Sequence, residues 1–458
     1  MLFDLGPLPP ANLLAARDQM AVTLGFHIVL ACLGVAFPTL LLIANWRAIR
    51  RDDPDALRLA RRWSRIIAVT FAVGAVSGTI LSFEMGLLWP GLMGRFGAAY
   101  GIPFAVEGIF FFLEAIFIAI YIYGWDRLSP WTHFLSGVPI ALAGFGGTFS
   151  VVTANAWMNQ PAGFSLGPDG QVTDVQPLGV IFNNATWYEA GHMFLAAYMV
   201  TGFLLASTYA VGRLRGRMDR YTRLGFIIPF AVAAIATPLQ IGMGDVAARA
   251  VFTDQPAKFA AMELVQTTGP NTPVVVGGLL IDGRVVGGLP IPALGSLLAG
   301  FSTDTVVHGL DGIAPADQPP VNIVHVAWDT MLAMGFSLLA LAAWFGLTWI
   351  RRRELPTSRW FYRFAAVAGI GAVVALEAGW VVTEVGRQPW IVYGLLRTTD
   401  AVTRAPGTLI SFLVVLAIYV VLGVATFLVL RSMSRPAGGS GDDAGQDADP
   451  DVPYGPRR

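Results

Sequence analysis

Cysteine, lysine and charge are what this chain of 458 residues has least of. The single cysteine, Cys32, excludes an intrachain disulfide framework, a Cys-based zinc site and an iron–sulfur cluster held by this chain alone; within its apolar run it reads as a small core residue. Charged residues make up 13% of the chain against 55% hydrophobic ones, and the mean hydropathy of +0.61 is more than the surface of a soluble domain tolerates. Most of the chain is therefore solvated by lipid. Thirty basic and thirty acidic residues cancel to zero net charge, so the balance points to neither a nucleic acid nor an acidic substrate. The N-terminal stretch lacks a basic region followed by a short apolar segment and a small-residue cleavage site, so no removable signal peptide is expected. No internal repeat is evident.

Apolar stretches long enough to cross a hydrocarbon core of about 30 Å fall at residues 20–45, 66–89, 102–124, 132–154, 187–211, 225–244, 322–349, 364–384 and 408–430. Backbone groups in lipid must be satisfied within their own segment, so each is expected to be a helix and the fold to be all-α within the membrane, with about nine transmembrane helices. Arginine sets the orientation. Arg47, Arg50, Arg51, Arg58, Arg61, Arg62 and Arg65 lie between the first two spans, Arg213, Arg215, Arg217, Arg220 and Arg223 between the fifth and sixth, and Arg351, Arg352, Arg353, Arg359 and Arg363 between the seventh and eighth. These links should be cytoplasmic, placing the N-terminus outside and the C-terminus inside.

The expected organisation is six spans over residues 1–244, a long extracytoplasmic loop over 245–321, three spans over 322–431 and a disordered cytoplasmic tail over 432–458. A loop of that length in a compact membrane protein is usually functional. Within it, two short β-branched runs from Thr272 to Leu289 flank Asp282-Gly283, a hairpin signal.

Ionisable groups inside membrane spans are costly and face the interior of a bundle. His27, Glu107, His192, Met331 and Glu384 lie on five different spans, all expected in the outer half of the membrane. A lone buried histidine is as often a hydrogen-bonded core residue, and a methionine in an apolar helix is nearly always packing. A shared depth favours ligands. His192 and Met331 suit a six-coordinate haem whose potential the thioether raises, and His27 and Glu384 suit haem irons with an open or weakly held sixth position. Glu107 and Glu114, close to two turns apart, share a helical face and suggest a proton path. Glu377, Trp380, Glu384 and Arg387 form one stripe, where guanidinium and indole groups suit haem propionates.

The run Gly379-Trp380-Val381-Val382-Thr383-Glu384-Val385-Gly386-Arg387-Gln388-Pro389-Trp390 resembles the signature of cytochrome bd oxidase subunit I. Supporting matches are Arg17 through His27, Glu107-Gly108 through Leu113-Glu114, Ala154-Asn155-Ala156-Trp157-Met158 and Gly191-His192. The resemblance implies a low-spin haem b held by His192 and Met331. It places a high-spin haem b and a haem d at His27 and Glu384, with Glu107 and Glu114 as acids beside that pair. Lys258, the only lysine, and Glu263 match the residues implicated in quinol binding in the family's loop. Asp329 stands where many members have an arginine. The contexts His325 through Met331 and Ile391-Val392-Tyr393-Gly394 look more like the cyanide-insensitive branch, in which a haem b takes the place of haem d.

The reaction so implied is oxidation of ubiquinol or menaquinol at the outer face and reduction of O2 to water, with protons drawn from the cytoplasm and charge separated without a pump. A second membrane subunit is the implied partner, with room for a small single-helix subunit, in the bacterial inner membrane. Five histidines, none adjacent, argue against a haem-copper oxidase, and no span has the paired histidines of a quinol–cytochrome c reductase cytochrome b. A secondary transporter is the non-redox alternative; the absence of repeated halves and the clustering of ionisable residues toward one face weigh against it.

Overall fold

Without water to bond the backbone, an apolar stretch in hydrocarbon has to close its own hydrogen bonds. Each of the nine expected spans is a helix in the computed structural model, which describes residues 12–434. In chain order the helices are α1 (Leu13–Arg51), α2 (Pro54–Leu88), α3 (Pro90–Gly124), α4 (Pro130–Asn159), the short α5 (Pro177–Ile181), α6 (Thr186–Leu214), α7 (Arg220–Asp254), the short α8 (Pro256–Met262) and α9 (Leu294–Gly300), α10 (Val321–Arg352), α11 (Arg359–Gly386), the one-turn α12 (Thr398–Ala401) and α13 (Thr408–Ser434). Most spans extend beyond the apolar stretch that marks them. The tail expected from residue 432 begins inside α13, and its remainder lies outside the described residues.

Helix starts at the arginine-rich side are capped by short polar side chains. Asp53 accepts from the Ala56 N–H at the start of α2, Ser129 from Thr132 at α4, Asp219 from Thr222 at α7 and Ser358 from Trp360 at α11. Proline follows the cap at α2 and α4, where its missing N–H costs nothing. Asp53 also joins two links: its carboxylate is 2.9 Å from Arg47 and 2.7 Å from Arg220, so the first and fifth inter-span connections meet at one end of the bundle.

Three apolar cores stack along the helices. One unites α1, α6, α7, α10 and α11 around Phe203, Phe226, Phe230 and Phe361. A second, toward the arginine-rich end, packs Phe37, Leu40 and Trp63 against Tyr121 and Trp125. The third closes the opposite end around Phe96, Tyr100 and Trp157. By contrast, α3 and α13 leave most of their apolar side chains less than fully buried, an arrangement suited to lipid or a neighbouring subunit.

Between α7 and α10 the loop forms nested hairpins. Strand β1 (Ser165–Leu166) pairs with β2 (Val172–Thr173) before α5; here β3 (Val274–Val276) pairs with β6 (Leu289–Ile291) around β4 (Leu279–Ile281) and β5 (Arg284–Val286). The expected turn is present: Ile281 pairs with Arg284, and Asp282 (φ 49°) and Gly283 (φ 71°) both adopt the positive φ that favours this dipeptide. After α11, β7 (Trp390–Val392) pairs with β8 (Leu396–Arg397). The loop itself starts later than expected, because α7 runs on to Asp254 with Arg249 and Asp245 paired at 2.9 Å on its surface.

Asn322, His325 and Asp329 lie at three- and four-residue steps on one face of α10 and grip the hairpins by their backbone. Asn322 accepts from the Leu280 N–H at 2.7 Å and donates to its carbonyl at 3.0 Å. The His325 ring nitrogens lie 2.8 Å from the Met262 carbonyl and 3.1 Å from that of Gly277, and the Asp329 carboxylate accepts from the Gly277 N–H at 2.5 Å. Asp329 thus anchors the loop. Replacing Asn322 with alanine should leave two backbone groups unpartnered, at a local cost of about 2 kcal/mol. Amide exchange over 274–291 should then accelerate at least tenfold with α11 unchanged; equal protection in both proteins would show the clamp to be dispensable.

Candidate functional site

Of the expected ligands, His27 has the clearest orientation. Its Nδ1 lies 2.8 Å from Ser77 Oγ on α2, and that hydroxyl donates its only hydrogen to the Gly74 carbonyl at 3.0 Å. Ser77 must then accept from His27 Nδ1–H, which leaves the Nε2 lone pair free. Across from the ring sits Gly78, where a Cβ would come within 3.0 Å of the imidazole.

The same pairing with glycine recurs. His192 on α6 faces Gly244 of α7, whose Cβ would lie 3.5 Å from the ring, and its Nδ1 is buried without a hydrogen-bond partner among the described residues. Met331 on α10 places its sulfur 2.9 Å from where Gly379 of α11 would carry a Cβ. Glu377 approaches Gly25 of α1 at 3.3 Å, and Glu114 sits between Gly34 and Gly144 at 3.7 and 3.6 Å. Each polar or sulfur-bearing side chain occupies room that a glycine on the next helix provides. Glu107, expected early in its span, lies midway along α3, because that helix begins at Pro90.

Loop and bundle meet in a buried polar chain. Lys258 on α8, only 4% exposed, runs its aliphatic stem over Gly386, where a Cβ would come within 2.8 Å, and donates to Asn159 Oδ1 at 3.0 Å. Gln255 donates to the same oxygen at 3.1 Å. The Asn159 amide points to Glu189 Oε1 at 3.1 Å and Asn155 Oδ1 at 3.0 Å, one turn back along α4. Asn155 in turn donates to one oxygen of Glu384, while Arg387 donates to the other at 2.5 Å. Burial, reinforced by the Arg387 charge, holds the Lys258 ammonium well below the usual lysine range, with Glu189 and Glu384 pulling the other way.

Glu263 occupies a second polar pocket at the end of α8. The Trp328 indole donates to its Oε1 at 2.9 Å, and Oε2 is buried without a hydrogen-bond partner among the described residues. Burial pushes this carboxyl up to about 7 despite that hydrogen bond. Lys258 and Glu263 therefore sit in separate surroundings, facing α4 and α10 respectively. Asn155, Asn159, Glu189, Gln255 and Ser77 received no role in the sequence reading; two asparagines one turn apart at the end of an apolar span were the available signal.

Buried polar atoms without partners test whether haem fits. Among the described residues His192 Nδ1, Trp380 Nε1 and Arg387 Nε and Nη1 are of this kind, and Arg387 is only 2% exposed. An unpaired imidazole, a guanidinium edge and an indole N–H, set among facing glycines, suit an axial ligand and propionate partners. The residues fit the group.

These features define a multi-pass membrane protein in which a polar loop is joined to the helices through buried side chains. The family model for cytochrome bd terminal oxidase subunit I matches residues 15–437, and the chain belongs to that family. A provisionally named cytochrome bd menaquinol oxidase subunit I of Bacillus subtilis (strain 168) is 32% identical, with 92% of this chain and 96% of that protein covered. The cytochrome bd ubiquinol oxidase subunit 1 of the same organism is 28% identical over 93% of this chain and 94% of its own length. Among solved structures, the bd oxidase from Geobacillus thermodenitrificans superposes with a TM-score of 0.88 at 33% identity, covering 93% of this chain and 98% of that one. The transporter alternative has no support among them.

Asn159 holds the polar chain together, so Asn159→Leu should strand Lys258, Gln255 and Glu189 at once. The expected cost is about 3 kcal/mol, read as a lower denaturation midpoint of the detergent-solubilised protein. An unchanged midpoint would show these contacts to be incidental.

Proposed function

We propose that this subunit oxidises quinol beside Lys258 and Glu263 on the extracytoplasmic side and reduces O2 to water within the bundle, as a quinol:O2 oxidoreductase. His192 and Met331 would hold a low-spin haem b; His27 and Glu384 would serve a high-spin haem b and a haem d, or a haem b in its place. Bound there, haem supplies one-electron transfer and an iron open to O2. The single observation that carries the reading is the buried chain joining loop residue Lys258 to Glu384 and Arg387.

Quinol reaches the site from the bilayer. A shallow, open apolar depression lined by Asn322, Ile323, Val326, Ala327 and Val381 lies beside the α10 turn that carries Trp328. Trp328 holds Glu263 Oε1, so Oε2 is the atom that takes the quinol proton. Lys258 and Asn159 orient polar groups at the boundary between loop and bundle. Ser77, by holding His27 Nδ1, would leave the Nε2 lone pair available to a haem iron. Glu107 and Glu114 would carry protons along α3, and Arg387 and Trp380 would bind propionates through their free N–H groups. The arginine-rich ends gathered around Asp53 support a cytoplasmic assignment for that side and an outer N-terminus; with quinol protons released outside and those for water drawn from the cytoplasm, charge would be separated without a pump. A second membrane subunit, with room for a small single-helix one, would cover apolar faces such as those of α3 and α13.

Purified protein should show a reduced-minus-oxidised haem α-band and quinol-dependent O2 uptake; lack of both would overturn the reading. Because Glu263 must be ionised to accept a proton, quinol oxidation should rise with pH through about 7. Glu263→Gln should abolish that limb and lower kcat by about 100-fold; a variant keeping the limb would assign the base elsewhere. Ser77→Ala should change the high-spin haem spectrum while Ser77→Thr preserves it, and identical spectra for all three proteins would contradict the positioning role.

A further inference from the structure

A cavity of about 530 Å³ opens at the arginine-rich end of the bundle, far along the helices from the ligand-bearing side chains. Arg47 and Arg51 from the end of α1, Arg220 and Arg223 from the start of α7, and Ile227 and Trp349 line it. Arg47 and Arg220 share the buried Asp53 carboxylate, at 2.9 and 2.7 Å. Arg51 and Arg223 are exposed and make no side-chain hydrogen bond or ion pair among the described residues. Four guanidiniums and no carboxylate line the cavity, so a positive excess remains after Asp53 and the exposed Asp52 and Asp219, next in sequence to Arg51 and Arg220, are counted.

The apolar part has a direction. Arg220, Arg223 and Ile227 follow at three- and four-residue steps down one face of α7, which carries Ile227 about 10 Å deeper than Arg220. Trp349 closes the cavity from the last turns of α10. Charge thus lies at the mouth and hydrocarbon-compatible surface below it. A soluble phosphate would use only the first; an amphiphile uses both.

We infer that this cavity binds one anionic phospholipid, its phosphate between Arg51 and Arg223 and an acyl chain against Ile227 and Trp349. On the side that the positive-inside rule makes cytoplasmic, such basic recesses between helices suit anionic headgroups. Arg47 and Arg220 set the field and hold Asp53; Arg51 and Arg223 are free to meet the ligand.

The test uses the intact oxidase complex, delipidated in detergent and titrated with phosphatidylglycerol, phosphatidylcholine or inorganic phosphate under native mass spectrometry. The wild-type complex should retain one phosphatidylglycerol in preference to phosphatidylcholine, with little competition from inorganic phosphate. Removing one arginine near anionic lipid weakens binding by about 5-fold, so Arg51→Gln/Arg223→Gln should weaken it by ~25-fold without altering the visible spectrum. Ile227→Asn, which leaves every charge in place, should also lower lipid affinity and leave phosphate binding untouched. Equal retention by wild type and the double variant would overturn the site, and so would phosphate competing at the lipid's own affinity. If the second subunit covers the cavity, phosphatidylglycerol will not bind the complex, and the inference fails.

Discussion

Burying an ammonium group costs several kcal/mol unless hydrogen bonds and opposite charge replace its hydration. Lys258 meets that condition in one way: its head donates to Asn159, which is tied through Asn155 to Glu384, while Glu189 lies on the other side of the same amide. Three long helices and the loop must be in register for this to happen. Glycine at 386 is part of the constraint, because a side chain there would displace the lysine stem. The loop is therefore held to the bundle from within, at Lys258, and along its flank by Asn322, His325 and Asp329.

Around that junction the bundle makes space by omission. Glycines opposite His27, His192, Met331 and Glu114 admit polar or bulky side chains without pushing the helices apart. Close packing elsewhere, with the Phe203, Phe226, Phe230 and Phe361 cluster, gives the rigidity that fixes side chains on separate helices relative to one another. Large aromatic cores and small residues at the polar sites divide the work: one sets helix positions, the other leaves room for function.

Much of this was legible before the structure. Hydropathy located the nine spans because lipid admits few backbone solutions, and Asp282-Gly283 marked its hairpin because few dipeptides tolerate two positive φ values. Helix ends were less legible: α3 begins at Pro90 and α7 reaches Asp254, since amphipathic turns continue a helix past the apolar window. The stripe from Trp380 to Arg387 stood out because ionisable groups are rare in a span. Asparagines do not stand out in that way. Asn155, Asn159 and Ser77 act through partners distant in sequence, and only packing shows that Asn159 faces Lys258 or that Ser77 meets His27.

The dependence of loop and bundle on one buried network is open to a direct thermodynamic measurement. A double-mutant cycle of Lys258→Met and Glu384→Gln, followed by denaturant unfolding in detergent, measures whether the two side chains, linked by the asparagines and by their opposite charges, act as a unit. The account predicts a coupling energy of at least about 1 kcal/mol. Additive effects would contradict it, because the loop lysine and the α11 carboxylate would then be stabilised independently.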